Sequence, residues 1–190
     1  MARILTFSGS TRADSNNQKT VDTMSVALHD AGAEVTGVSL RDYAAPIYDG
    51  DTETESGLPE SISKFRTLLS EHDGFVIGCP EYNGFMTPLL MNTIDWATRS
   101  PQASADLAPF RGKSVLVVSA SPGGMGGARA ATHLKTMLSG IGCIISPENF
   151  TVSASFKAFD ADGRLVDPAL QDRANQIANR FNDFAERLRH

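Results

Sequence analysis

Three short apolar runs constrain this chain most. Residues 3–7, 73–79 and 113–120 are nearly continuous in Ile, Leu, Val and Phe, and each gives way at once to Ser or Pro. The last of them strings Val115, Leu116, Val117 and Val118 together without a polar break. Strands that are apolar at successive positions are buried on both faces, which is the situation of a parallel sheet covered by helices. Helical spacing fills the gaps: Val21, Met24 and Leu28, then Ile62, Phe65 and Leu69, then Leu134, Met137 or Leu138, and Ile141. The clearest stripe is the last, through Leu170, Ala174, Ile177, Phe181, Phe184 and Leu188, at steps of four, three, four, three and four. With residues 34–40 as a second strand and residues 143–146 opening a fifth, strand and helix alternate through five units. The expected class is α/β, a doubly wound sheet.

Length and charge narrow the reading. At 190 residues the chain is longer than a typical domain of about 100–150 residues and short of two, so one domain over residues 1–190 is expected. Apolar residues make up 41% and charged residues 21%, enough for a core. No apolar run approaches the roughly 20 residues that span a bilayer, and residues 1–4 enter a strand without the stages of a signal peptide, so a cytoplasmic protein is expected. Cys79 and Cys143 are too few for a disulfide framework or a zinc site, and buried thiols are expected with no metal centre. A net charge of −5 offers no basic field to a phosphodiester backbone, which argues against a nucleic-acid partner. Residues 44–59, rich in Asp, Glu, Thr, Gly and Pro, read as a long, acidic, exposed loop, and residues 99–112 as a second polar connector.

In an open parallel sheet, ligands gather at the carboxyl ends of the strands. The loop after the first strand holds Ser10, Thr11, Arg12, Ala13, Asp14, Ser15, Asn16 and Asn17 just before a helix whose first amides have no intrahelical partner. Hydroxyls, amides and one guanidinium at a helix start form a phosphate cradle. Helix capping by Ser15 or Asn16 explains one of these residues and not the cluster. Neither the dinucleotide fingerprint nor the Walker loop is present, so a single monophosphate fits better than a pyrophosphate. The loop after the third strand, with Pro80, Glu81, Tyr82, Asn83 and Gly84, supplies an aromatic ring, an amide and freed backbone groups suited to a flat heterocycle. The loop after the fourth runs Ser119, Ala120, Ser121, Pro122, Gly123, Gly124, Met125, Gly126 and Gly127 into a helix. Each of the last two loops, taken alone, is also compatible with an ordinary turn.

Together, and with Asn92, Thr93, Ile94, Asp95 and Trp96, these loops make the chain resemble the NADPH-dependent FMN reductase family. Order and spacing agree over residues 1–150. The resemblance implies a flavodoxin-like three-layer sandwich with a five-stranded parallel sheet in the order 2-1-3-4-5 and helices on both faces. It implies FMN as cofactor and NADPH or NADH as co-substrate. Ser10, Arg12, Ser15 and Asn17 would hold the FMN phosphate, with Asn16 contributing at the helix start. Pro80, Glu81, Tyr82, Asn83 and Gly84 would line the ring, and Ser119, Ser121 and Gly123 would close its other edge. The family usually reads Ser-x-Pro-Gly where this chain has Phe85, Met86, Thr87 and Pro88, and Lys where it has Met91, which adds apolar bulk near the flavin mouth.

The implied activity is hydride transfer from a nicotinamide to FMN and then to a second small-molecule acceptor, a quinone, flavin, azo or nitro compound or metal oxyanion. If both substrates share one opening, the mechanism is ping-pong. No acid–base side chain is needed for the first half, so no catalytic residue is assigned, and His29, His72, His133 and His190 are read as surface or packing residues. The resemblance also implies a homodimer or homotetramer, although the apolar segment from Leu89 to Trp96 could equally be internal core. A flavodoxin-type electron carrier without turnover of its own is the competing class. Arg12 in the phosphate loop and the modest net charge favour the enzyme.

Overall fold

The computed structural model describes residues 1–189, and His190 lies outside the described residues. The three apolar runs become the central strands β1 (Arg3–Ser8), β3 (Gly74–Gly78) and β6 (Ser114–Ala120). β2 (Glu34–Gly37) flanks β1, β4 (Glu81–Tyr82) and β5 (Phe85–Met86) form a separate hairpin, and β7 (Ile144–Ile145) and β8 (Phe150–Val152) both pair with β6. The main sheet runs β2-β1-β3-β6-β7 with every pairing parallel, so Leu5 sits between Thr36 and Phe75. The strand order is the expected one, and the fold is flavodoxin-like.

Successive strand residues point to opposite faces, and the two cores follow from that alternation. Ile4, Val76, Leu116 and Val118 meet α1 (Asn16–Asp30) and α6 (Pro168–Leu188) through Val21, Met24, Leu28, Ile177 and Phe181. Leu5, Phe7, Phe75, Ile77, Val115 and Val117 belong to the opposite core, with side chains of α3 (Glu60–Glu71), α4 (Pro88–Ala97) and α5 (Ala128–Gly140). Leu90, Ile94 and Trp96 are buried within the chain, and both cysteines are buried free thiols. Among the described residues no helix is long and apolar enough to cross a membrane.

Three expectations need correction. The second strand ends at Gly37, not Leu40, because the Ser39 hydroxyl accepts from the Arg41 amide and starts a 3-10 turn over Leu40–Tyr43. The fifth position of the sheet is shared by two short segments, because Pro147 has no N–H for the ladder and the chain leaves the sheet edge between them.

Residues 44–59 are not a solvated loop. They contain a further helix, α2 (Gly50–Ser56), capped by the Asp49 carboxylate on the amides of Asp51 and Thr52. Its Glu53 is only 2% exposed. Both Glu53 carboxylate oxygens take the Arg99 Nε–H at 2.9 and 3.0 Å, and the Tyr48 hydroxyl donates to one of them at 3.0 Å. Hydrogen bonding from Arg99 holds the Glu53 carboxyl below the usual glutamate range against the opposing effect of burial, and Tyr48 adds to the hold. The Tyr48 ring meets Trp96 edge-on with centroids 5.0 Å apart. Trp96 Nε1 and Asn92 Nδ2 both donate to the Pro46 carbonyl, at 2.8 and 2.9 Å, while Asn92 Oδ1 accepts from the Tyr48 amide. The segment is a strap fastened to α4.

Candidate functional site

The loop after β1 turns because it is clasped from below. Gly9 donates its amide to the Gly78 carbonyl at 2.8 Å, and its carbonyl accepts from the Thr87 hydroxyl at 2.8 Å. A Cβ on Gly9 would stand 2.9 Å from that of Leu90, so only glycine lets the loop settle on α4. Beyond it, the hydroxyl of Ser15 caps α1 by accepting from the Gln18 amide, and the Ser15 carbonyl accepts from Lys19. The amides of Asn16 and Asn17 are left without acceptors among the described residues. Both residues line a cleft of about 380 Å³.

Charge at this end of the cleft is arranged for an anion. Asp14 is the carboxylate in the loop, and Lys19 pairs with it at 2.5 Å. The Lys19 hydrogen bond holds the Asp14 carboxyl below its ordinary range. Arg12 therefore keeps its guanidinium free beside Ser10, two open amides and the positive end of a 15-residue helix. Asn17 has a different role from its neighbours. Its side chain accepts from the Ala120 amide at 3.0 Å and donates to the Ala120 carbonyl at 2.9 Å, tying α1 to the end of β6. With the side chain so committed, the group of Asn17 without an acceptor among the described residues is its main-chain N–H. Asn16 donates from Nδ2 to the Ser155 hydroxyl at 3.0 Å.

The second loop forms the hairpin of β4 and β5. Asn83 and Gly84 both have positive φ, 54° and 80°, the signature of a type I′ turn, and they sit at its tip, off the cleft wall. Pro80, Glu81 and Tyr82 line the cleft, with Tyr82 54% exposed. The Glu81 side chain turns away to the start of α5, accepting from Arg129 Nε at 3.0 Å and from the Ala130 amide at 3.3 Å. Burial works to raise its pKa, and the bonds from Arg129 and Ala130 outweigh that and hold it low. Burial, helped by the Glu81 charge, pushes the neighbouring Cys79 thiol up to about 12, so no thiolate nucleophile borders the cleft.

In the third loop Ser121 and Pro122 line the cleft, whereas Ser119 and Gly123 do not. The buried Ser119 hydroxyl donates to the Gly126 carbonyl at 2.7 Å, and a Cβ on Gly126 would press the backbone of Val152 at 3.0 Å. These groups therefore shape the turn into α5. Two wall residues fall outside all three loops: Ser155 and Phe156, on a 3-10 turn over Ser155–Lys157. Their signal in the sequence is weak, an isolated Ser-Phe after the last strand. His133 stands outside the cleft, its ring 4.9 Å from that of Phe85 at the hairpin.

Amides without acceptors at a helix start, an unpaired guanidinium, hydroxyls and an exposed tyrosine ring, brought together by residues that line one cleft, suit a phosphate monoester carrying a flat heteroaromatic group. The residues present fit FMN in that sense. A pattern of the NADPH-dependent FMN reductase family matches residues 2–157. An NAD(P)H-dependent FMN reductase of Pseudomonas aeruginosa is 34% identical over 194 residues, covering 98% of this chain and 97% of that protein. A quinone reductase of Escherichia coli is 30% identical over 190 residues, with coverage of 98% and 97%. Among solved structures, the flavoenzyme NAD(P)H:(acceptor) oxidoreductase FerB of Paracoccus denitrificans superposes with a TM-score of 0.82 at 26% identity, covering 98% of each chain. On its sequence and on the architecture of its cleft, the chain belongs to the NADPH-dependent FMN reductase family.

Proposed function

We propose that this chain is a single FMN-binding domain and an oxidoreductase that takes hydride from NADPH or NADH and delivers it to a second small-molecule acceptor such as a quinone. The observation that carries this reading is the cleft lined by Ser10, Arg12, Asn16 and Asn17, whose Asn16 and Asn17 amides have no acceptors among the described residues. Bound there, FMN supplies a hydride carrier whose chemistry is its own. Arg12, Ser10 and the two amides hold the phosphate, with the helix dipole adding to the attraction. Pro80, Tyr82 and Ser121 orient the ring between the two neighbouring loops. Glu81, committed to Arg129 and Ala130, keeps the hairpin against α5 and handles no proton.

Tyr82 and Phe85 are both exposed at the hairpin and frame one opening. Donor and acceptor use that opening in turn, so the kinetics are ping-pong. Parallel double-reciprocal lines at several acceptor levels support the shared opening, and intersecting lines contradict it. The reading as a whole is tested by the absorption spectrum of the purified protein: flavin bands that bleach on adding NADPH or NADH and return on adding a quinone are expected. A protein that stays colourless and cannot be reconstituted with FMN contradicts it. The same reading includes assembly as a homodimer or homotetramer, and a one-chain mass in sedimentation equilibrium across micromolar concentrations argues against that part.

A further inference from the structure

Phe156 is 73% exposed although it stands on the wall of the cleft. An exposed phenylalanine alone is unremarkable, but the backbone that presents this one is built with care. Ala154, immediately before the turn, adopts φ 44° and ψ 43°, a left-handed conformation that a side chain disfavours and that persists only where surrounding bonds enforce it. The bonds are present. Ser155 is buried, its amide donates to the Ser121 carbonyl at 3.2 Å, and its hydroxyl accepts from Asn16 at 3.0 Å. One serine thus ties the start of α1 to the loop after β6, and the next residue carries an aromatic ring with little packing of its own.

We propose that Phe156 contacts the cofactor, its ring covering the phosphate of FMN where it meets the start of α1; this rests on the FMN reading above. The Asn16–Ser155 bond sets the ring at the phosphate end, not at the hydride-accepting end. Covering that end removes water from the Arg12–phosphate pair, and the attraction strengthens as the local dielectric falls. It also hides the pair from salt, which screens exposed charges far more than covered ones.

The test is titration of the flavin-free protein with FMN and with riboflavin, which lacks the phosphate, at low and high salt. In Phe156→Ala, FMN affinity is expected to fall roughly three- to tenfold, while riboflavin affinity stays within about twofold. The salt dependence of FMN binding should steepen, and Phe156→Leu should restore most of the loss. Because the ring is exposed, Phe156→Ala should unfold at the same temperature as the parent without flavin. An FMN affinity within about twofold of the parent at both salt levels, or an equal loss for FMN and riboflavin, overturns the inference. If the parent itself binds no FMN, the functional reading fails and takes this inference with it.

Discussion

The strap over residues 44–56 and the loop over residues 8–17 are both polar, both follow a strand of the same sheet edge, and use their polar groups in opposite ways. In the strap, Glu53 is satisfied by Tyr48 and Arg99, and the Pro46 carbonyl by Asn92 and Trp96, all within the protein. In the loop, Arg12, Asn16 and Asn17 line the cleft, and the Arg12 guanidinium and the Asn16 and Asn17 amides have no partners among the described residues. Buried polar groups that are paired hold a fold together, whereas polar groups left open in a cleft mark where a ligand completes them. The type of residue does not separate the two cases; the partner does.

If that contrast is right, mutations in the two regions should move different observables. The largest effect is expected in the strap. Arg99→Ala leaves the Glu53 carboxylate buried and without its cation, which should cost about 3 kcal/mol. For a chain of this size that is a fall of about 6–12 °C in Tm, read by calorimetry, with FMN affinity unchanged while the protein is folded. A loss of FMN affinity with Tm unchanged would erase the distinction. Arg12→Ala is the converse case. It should weaken FMN by one to two powers of ten, corresponding to about 1.5–3 kcal/mol, and leave the Tm of the flavin-free protein where it was.

Asn17 belongs to both classes and sharpens the contrast. Its side chain is structural and its amide faces the cleft, so Asn17→Ala should cost about 1–2 kcal/mol of stability by freeing the Ala120 backbone groups. FMN binding should fall only as far as the helix start shifts. The smallest effect is in acid. The folded pKa of Glu53 lies below its ordinary value of 4.5, so the stability it contributes is present above that pH and is lost as pH falls through the lowered value. Glu53→Gln should therefore flatten the acid limb of the stability profile below about pH 4.5 while lowering the plateau above it. An unchanged acid limb would mean that Glu53 is not held as its bonds to Arg99 and Tyr48 indicate.

The contrast also explains what the sequence made legible. The central strands announce themselves because residues such as Val115 to Val118 need apolar neighbours on both faces, a demand written locally. The last helix does the same through Ala174, Ile177 and Phe181. The strap could not be read that way. Of the residues in α2 only Glu53 is buried, and its partner Arg99 lies 46 positions away, so no local periodicity marks it. Asn92 and Trp96, which belong to the segment that resembles the family, are the fasteners of that strap. Asn83-Gly84 is a local hairpin signal, and it closes the turn between β4 and β5. Pro147 was the visible sign that the last strand position would break. For the site, Ser10, Arg12, Ser15, Asn16, Asn17, Pro80, Glu81, Tyr82 and Ser121 do gather on one cleft, because loops at strand ends on one sheet edge must. Asn83, Gly84, Ser119 and Gly123 support its walls, and Phe156 reaches it through a turn that no local pattern announces.

The central claim is that the open groups of the loop over residues 8–17 are completed by a phosphate, and a paired titration tests it most directly. Flavin-free protein is titrated with FMN and with riboflavin under identical conditions, following flavin fluorescence. FMN is expected to bind at least about tenfold more tightly than riboflavin, and Arg12→Ala should remove most of that difference. Equal affinities for the two flavins, unaffected by Arg12→Ala, would show that no phosphate is held there.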